Sequence, residues 1–160
     1  MVICRILGAV MLVLSGIGTA RVLNRSASSA LEGTEGAIAF LRYTRGQVEC
    51  FALPLPELIG RCEPEFLRKM GYRQGIAVPE SMEEFVRCCA ISDRQSAALL
   101  KRYAGEFGKN YREGQLRSCD YYLGLLEERR AALATALPAK RRLNSTLSIS
   151  AALALVILFL

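Results

Sequence analysis

A chain of 160 residues holds one domain and little more, and this one has no histidine, which removes the commonest general base and metal ligand. A net charge of +6 leaves nucleic acid and anionic lipid open as partners, and 52% hydrophobic residues is high for a chain wholly in water. The apolar excess is uneven: all fifteen acidic residues lie between Glu32 and Glu128, twenty of the twenty-one basic residues lie between Arg21 and Arg142, and both ends are apolar.

Taken in chain order, the first run, Ile6 to Ala20, contains no charge. A membrane span needs about 20 apolar residues to cross roughly 30 Å of hydrocarbon, so residues 1–22 read as an N-terminal transmembrane helix with Arg5 at its edge. One Arg, an apolar stretch and the small residues of "GTA" also describe a secretory signal peptide, which would put a tail-anchored helical protein outside the cytoplasm. Two features oppose that. Five Cys in the middle region (Cys50, Cys62, Cys88, Cys89, Cys119) are odd in number and two are adjacent, a poor disulfide framework. Arg21 and Arg25 follow the first run, and Lys140, Arg141 and Arg142 precede the last, so the inner end of each run is the basic, cytoplasm-facing one.

Between the runs, residues 23–142 read as an all-α bundle of about six helices. Leu31, Ile38, Leu41 and Val48 share one face, interrupted by Arg45. Pro54 ends that helix, and Pro56 sits near the first turn of a short one. Pro64 opens another, from Glu65 to about Gly71. Ser81 with Glu84 and Ser92 with Gln95 are capping boxes for helices over 82–91 and 93–107, the second ended by Gly108. Asn110 with Glu113 opens the last, where Leu116, Cys119, Leu123, Leu126 and Leu133 form a stripe. Pro138 is expected to kink or end it. Residues 143–160, "LNSTLSISAALALVILFL", read as a C-terminal transmembrane helix. The expected topology is a membrane hairpin with a cytoplasmic middle domain and both termini outward.

Chemistry is sparse. No C-x-x-C or phosphate-binding loop occurs, Glu83–Glu84 and Glu127–Glu128 sit beside Arg on helix faces, and Cys88–Cys89 read as small core residues. No enzymatic activity, cofactor or metal is expected. Arg87, Arg94 and Lys101 fall seven apart and would form a docking face for an acidic partner if their two helices ran as one. Lys140, Arg141 and Arg142 sit where a juxtamembrane cluster meets lipid headgroups. A basic module for anionic lipid or nucleic acid remains an alternative, although aromatics do not interleave with the basic residues as a base-stacking surface requires.

The order of parts also carries a resemblance. "LGAV" (Leu7 to Val10) lies in the first run; "ALPLPEL" brings the turn Leu53, Pro54, Leu55; then come "LLKRYAGEFGKNYREGQL" with Gly108, a long helix and "RRLNSTLSISAALALVILFL". Together these resemble the stage III sporulation protein AB family of endospore-forming bacteria over nearly the whole chain. The departures are Gln47-Val48 where an acidic–aliphatic pair is usual, Tyr103-Ala104 and Phe107-Gly108 within the pattern that ends at Gln115, and Tyr111 where Asp is usual. The resemblance implies a scaffold in the mother-cell membrane around the forespore, within the secretion-like complex required for endospore formation. It implies a cytoplasmic domain similar to that of the platform proteins of type II secretion and type IV pilus machines. The implied partners are the AA-type secretion ATPase and other membrane proteins of the complex; neither a nucleic acid nor a small-molecule substrate is expected.

Overall fold

The computed structural model of the chain describes residues 2–50, 54–73 and 79–159, with side chains throughout these except at 2–7, 9, 10, 12, 13, 158 and 159. Among the described residues there are six helices and no strand: α1 (Val2–Cys50), α2 (Leu55–Gly60), α3 (Pro64–Lys69), α4 (Met82–Arg87), α5 (Arg94–Glu106) and α6 (Arg112–Phe159). They divide into two compact units, Met1–Ser28 with Ala134–Leu160 (unit 1) and Ser29–Leu133 (unit 2).

Local chemistry sets the short helices. Pro54 stands at the N-cap of α2, whose first turn holds Pro56, and Pro64 is the first residue of α3, where a missing N–H costs nothing. Ser81 caps α4 by accepting from the Glu84 N–H at 3.2 Å, while the Glu84 carboxylate accepts from the Glu80 N–H at 3.0 Å. α4 is shorter than the 82–91 expected: Cys88 is already its C-cap, and the Ala90 N–H bonds to the Met70 carbonyl at 2.9 Å instead of continuing the helix. α5 begins one residue late, because Asp93 and not Ser92 caps it. The Ser92 hydroxyl lies 2.9 Å from that of Ser29. α6 begins at Arg112, since the Tyr111 carbonyl takes the first helical bond, from the Gln115 N–H.

Two boundaries read from the sequence are absent. The first apolar run and the helix expected after it are one helix, α1. Pro138 lies inside α6 and does not end it. A proline removes one intrahelical hydrogen bond, which the many remaining bonds of a 48-residue helix outweigh.

Unit 2 has one core. Ile38, Phe40 and Leu41 of α1 meet Leu58 and Ile59 of α2, Leu67 of α3, Phe85 of α4, Leu100 and Tyr103 of α5, and Cys119, Leu123 and Leu126 of α6. Phe40 and Phe85 stack with centroids 4.7 Å apart, and both are wholly buried. Gly36 lets α3 approach: a Cβ there would stand 2.8 Å from the Lys69 Cβ and 3.1 Å from the Met70 amide nitrogen. The glycine costs helix propensity and gains closer packing.

A buried polar cross-link ties three helices of unit 2. The Asp93 carboxylate accepts from the Ser96 N–H and hydroxyl, both at 2.8 Å, and from Arg129 of α6 at 3.0 and 2.8 Å. The Ser96 hydroxyl lies 2.8 Å from that of Thr34 on α1. The Arg129 guanidinium, and the Ser96 donors after it, hold the Asp93 carboxyl at about 2, well below its ordinary value.

In unit 1 the two long helices run antiparallel as legs. Asn24 meets Asn144 and Ser145 at 3.3 Å, while a Cβ at Gly16 would lie 2.7 Å from that of Ala152, so eight residues along one leg match eight back along the other. Among the described residues no helix is long and apolar enough to cross a membrane, so the two expected flanking transmembrane helices are not supported by the structure. Much of the first run lies outside the described side chains, and the second, as far as Ile157, is interleaved with Asn144, Ser145, Thr146, Ser148 and Ser150.

Candidate functional site

The C-terminal end of α1, the start of α2, the α5–α6 connection and the first turns of α6 surround a cleft of about 540 Å³ in unit 2. Leu55, Leu58, Val48 and Phe107 give it apolar walls, and Gln47, Asn110 and Gln115 supply amides. Leu58 is buried and Phe107 packs on Tyr103 with centroids 5.8 Å apart, so this wall is continuous with the core.

The backbone makes the cleft in two ways. Gly108 adopts φ +80 just after Phe107 caps α5, a left-handed conformation that reverses the chain towards α6. α1 has no basic residue in its own last turn. Arg112 at the start of α6 donates to the Glu49 carbonyl and so satisfies one of the orphan acceptors there. Arg45, one turn earlier, bonds the Asp120 carboxylate of α6 at 2.5 Å.

Several residues singled out from the sequence, some of them departures from the family pattern, meet in this cleft. Gln47, Val48, Pro54, Leu55, Phe107, Gly108 and Gln115 all line it, although up to 68 positions separate them in sequence. Leu53, also singled out from the sequence, lies outside the described residues. Tyr103 lies behind the cleft, buried, its hydroxyl 3.3 Å from the Cys119 Sγ, and burial pushes that phenol far above its ordinary value. Sequence reasoning missed Leu58, Asn110 and Arg112; the lack of a basic residue at the end of α1 was the one signal that a distant Arg would be recruited.

The other predicted residues do not gather there. Arg87, Arg94 and Lys101 are all exposed, but the helices do not run as one: α4 stops at Arg87 and α5 starts at Arg94, so the shared face expected from their spacing does not form. Only Arg94 and Lys101 sit two turns apart on one helix. Lys140, Arg141 and Arg142 lie on α6 within unit 1, all exposed, and Arg141 donates to the Ser28 hydroxyl at 2.8 Å.

The cleft offers an aliphatic and aromatic floor with hydrogen-bonding amides at its edges. Among the described residues, no group of three His, Cys, Asp or Glu side chains is placed to hold a metal ion.

Among curated proteins and solved structures, none matches the chain. The family model described as stage III sporulation protein AB matches residues 5–160, nearly its full length. The extent of that match leads to one conclusion: the chain belongs to the stage III sporulation protein AB family, whose role is in sporulation.

Proposed function

We propose that the chain is a non-enzymatic, membrane-anchored scaffold of the secretion-like complex between mother cell and forespore. Its helical unit 2 holds a partner in the cleft between the end of α1 and the start of α6. The observation that carries this reading is the convergence of Gln47, Val48, Pro54, Leu55, Phe107, Gly108 and Gln115 on that cleft. The partner favoured is the AA-type secretion ATPase, by the similarity to secretion platform proteins that the resemblance implies.

For anchoring, this reading rests on exposed side chains of unit 1. Leu14 (58% exposed), Val22 (69%), Leu143 (58%) and Leu147 (60%) leave apolar surface on both legs that water would penalise. Small side chains fill the space between the legs, as close packing in lipid requires: Gly16 faces Ala152 and Ser148.

The test replaces Leu55, a partly buried lining residue, with Asp in a spore-forming host that lacks its own copy. The melting temperature of the purified variant serves as the folding control. The reading expects L55D to melt near the parent, to lose co-isolation of the ATPase and to give spore counts as low as the deletion. A folded L55D that sporulates normally and retains the ATPase removes the cleft from the account.

A further inference from the structure

We infer that unit 1 carries a binding site for anionic phospholipid headgroups, formed by Arg21 and Arg25 of α1 with Lys140, Arg141 and Arg142 of α6. The inference rests on the membrane-anchored reading above. Its first observation is charge segregation. Unit 2 holds fifteen basic and fifteen acidic residues, so its charge cancels, while unit 1 holds six basic residues and no acidic one. The whole +6 of the chain therefore resides in unit 1.

The second observation is that the two legs are stapled where these cations lie. Asn144 donates to the Asn24 side-chain oxygen at 3.3 Å, the Asn24 amide donates to the Ser145 hydroxyl at 3.3 Å, and Arg141 donates to the Ser28 hydroxyl at 2.8 Å. Arg21 and Arg25 are within one turn of Asn24, and Lys140 to Arg142 are within about one turn of Asn144, at roughly 1.5 Å rise per residue. All five are exposed, and the unit contains no Asp or Glu to pair with them.

The third is what adjoins the cluster. Exposed Val22, Leu23, Leu143 and Leu147 sit beside the cations on both legs. Cations next to exposed aliphatic side chains complement a phospholipid, whose phosphate lies next to its acyl chains. A nucleic acid offers phosphate without hydrocarbon, and nothing in the cluster supplies aromatic faces for its bases.

The experiment reconstitutes the full chain in phosphatidylcholine bilayers containing a trace of spin-labelled phosphatidylglycerol or spin-labelled phosphatidylcholine. The motionally restricted fraction of each label gives their relative affinity. One cation per headgroup predicts a preference for phosphatidylglycerol of about fivefold, fading towards parity at high salt. Replacing all five cations with Gln is expected to bring parity, whereas replacing the four Arg with Lys is expected to keep the preference. Parity in the parent, preference persisting in the Gln variant, or loss in the Lys variant each overturns the inference. So does tight binding of duplex DNA by a parent that shows lipid parity. If the parent is extracted from vesicles by alkaline carbonate, the membrane reading itself fails and the inference falls with it; parity in a carbonate-resistant protein defeats the inference alone.

Discussion

Replacing Asp93 with Asn tests the cross-link of unit 2 most sharply, because it keeps the shape and an acceptor oxygen while removing the charge. Asp93 is buried at 8% exposure and accepts four hydrogen bonds, two of them from the Arg129 guanidinium. The carboxyl falls from 3.8 to about 2 in the folded chain. At about 1.4 kcal/mol per pH unit, that gap is on the order of 2 kcal/mol of folded-state preference for the carboxylate. The cap to the Ser96 N–H survives in Asn, so the cap's own share of roughly 1 kcal/mol is largely retained. We therefore expect D93N to lose about 2 kcal/mol at pH 7, and D93A about 3 kcal/mol.

The pH dependence carries the sign. Because folding lowers this pKa, the contribution is present in full above the unfolded value of 3.8 and is lost as pH falls towards about 2. The assay is urea unfolding of the full chain in detergent, read by far-ultraviolet circular dichroism between pH 2 and pH 7. The parent and D93N should differ by the full amount at pH 7 and converge near pH 2. A difference below about 0.5 kcal/mol at pH 7, or one that stays constant down to pH 2, would mean that the Asp93 charge does not stabilise the fold.

Phe85→Ala removes a wholly buried ring stacked on Phe40 at 4.7 Å and should cost about 3–5 kcal/mol by the same unfolding assay. Gly16→Leu sets a side chain where even a Cβ would stand 2.7 Å from the Ala152 Cβ, so the legs should part. A disulfide between cysteines placed at Asn24 and Asn144, in a chain otherwise free of Cys, should then form more slowly than in the Gly16 parent. Maleimide at pH 8, followed by peptide mapping, should modify exposed Cys50 well before Cys62 and Cys89, whose thiols burial pushes up to about 11 and about 12.

The local signals were legible where a few neighbouring residues decide the outcome. Ser81 with Glu84 names its own helix start, and Gly108 its own stop. The face of Ile38 and Leu41 and the stripe of Cys119, Leu123 and Leu126 are the core. The misses arise where a distant partner decides. Asp93 takes the cap from Ser92 because Arg129, 36 residues away, rewards a carboxylate at that position. Arg45 interrupts the apolar face of α1 because Asp120 waits across from it. The break between α4 and α5 depends on a backbone bond from Ala90 to Met70 that no periodicity announces. For the candidate site, Pro54, Leu55 and Gly108 stood out in the sequence, but the spacing of 68 positions between Gln47 and Gln115 says nothing of their meeting. That needed the turn at Gly108 and the reach of Arg112 to the end of α1.

A scaffold needed for spore formation must be missed when it is removed, and a clean deletion in the source organism measures that. Starved cells would be scored for heat-resistant spores, with microscopy to mark where development stops. Engulfment should complete, heat-resistant spores should be lost, and the parent chain supplied in the mother cell should restore them. A normal yield of heat-resistant spores from the deletion strain would mean that no such scaffold is needed.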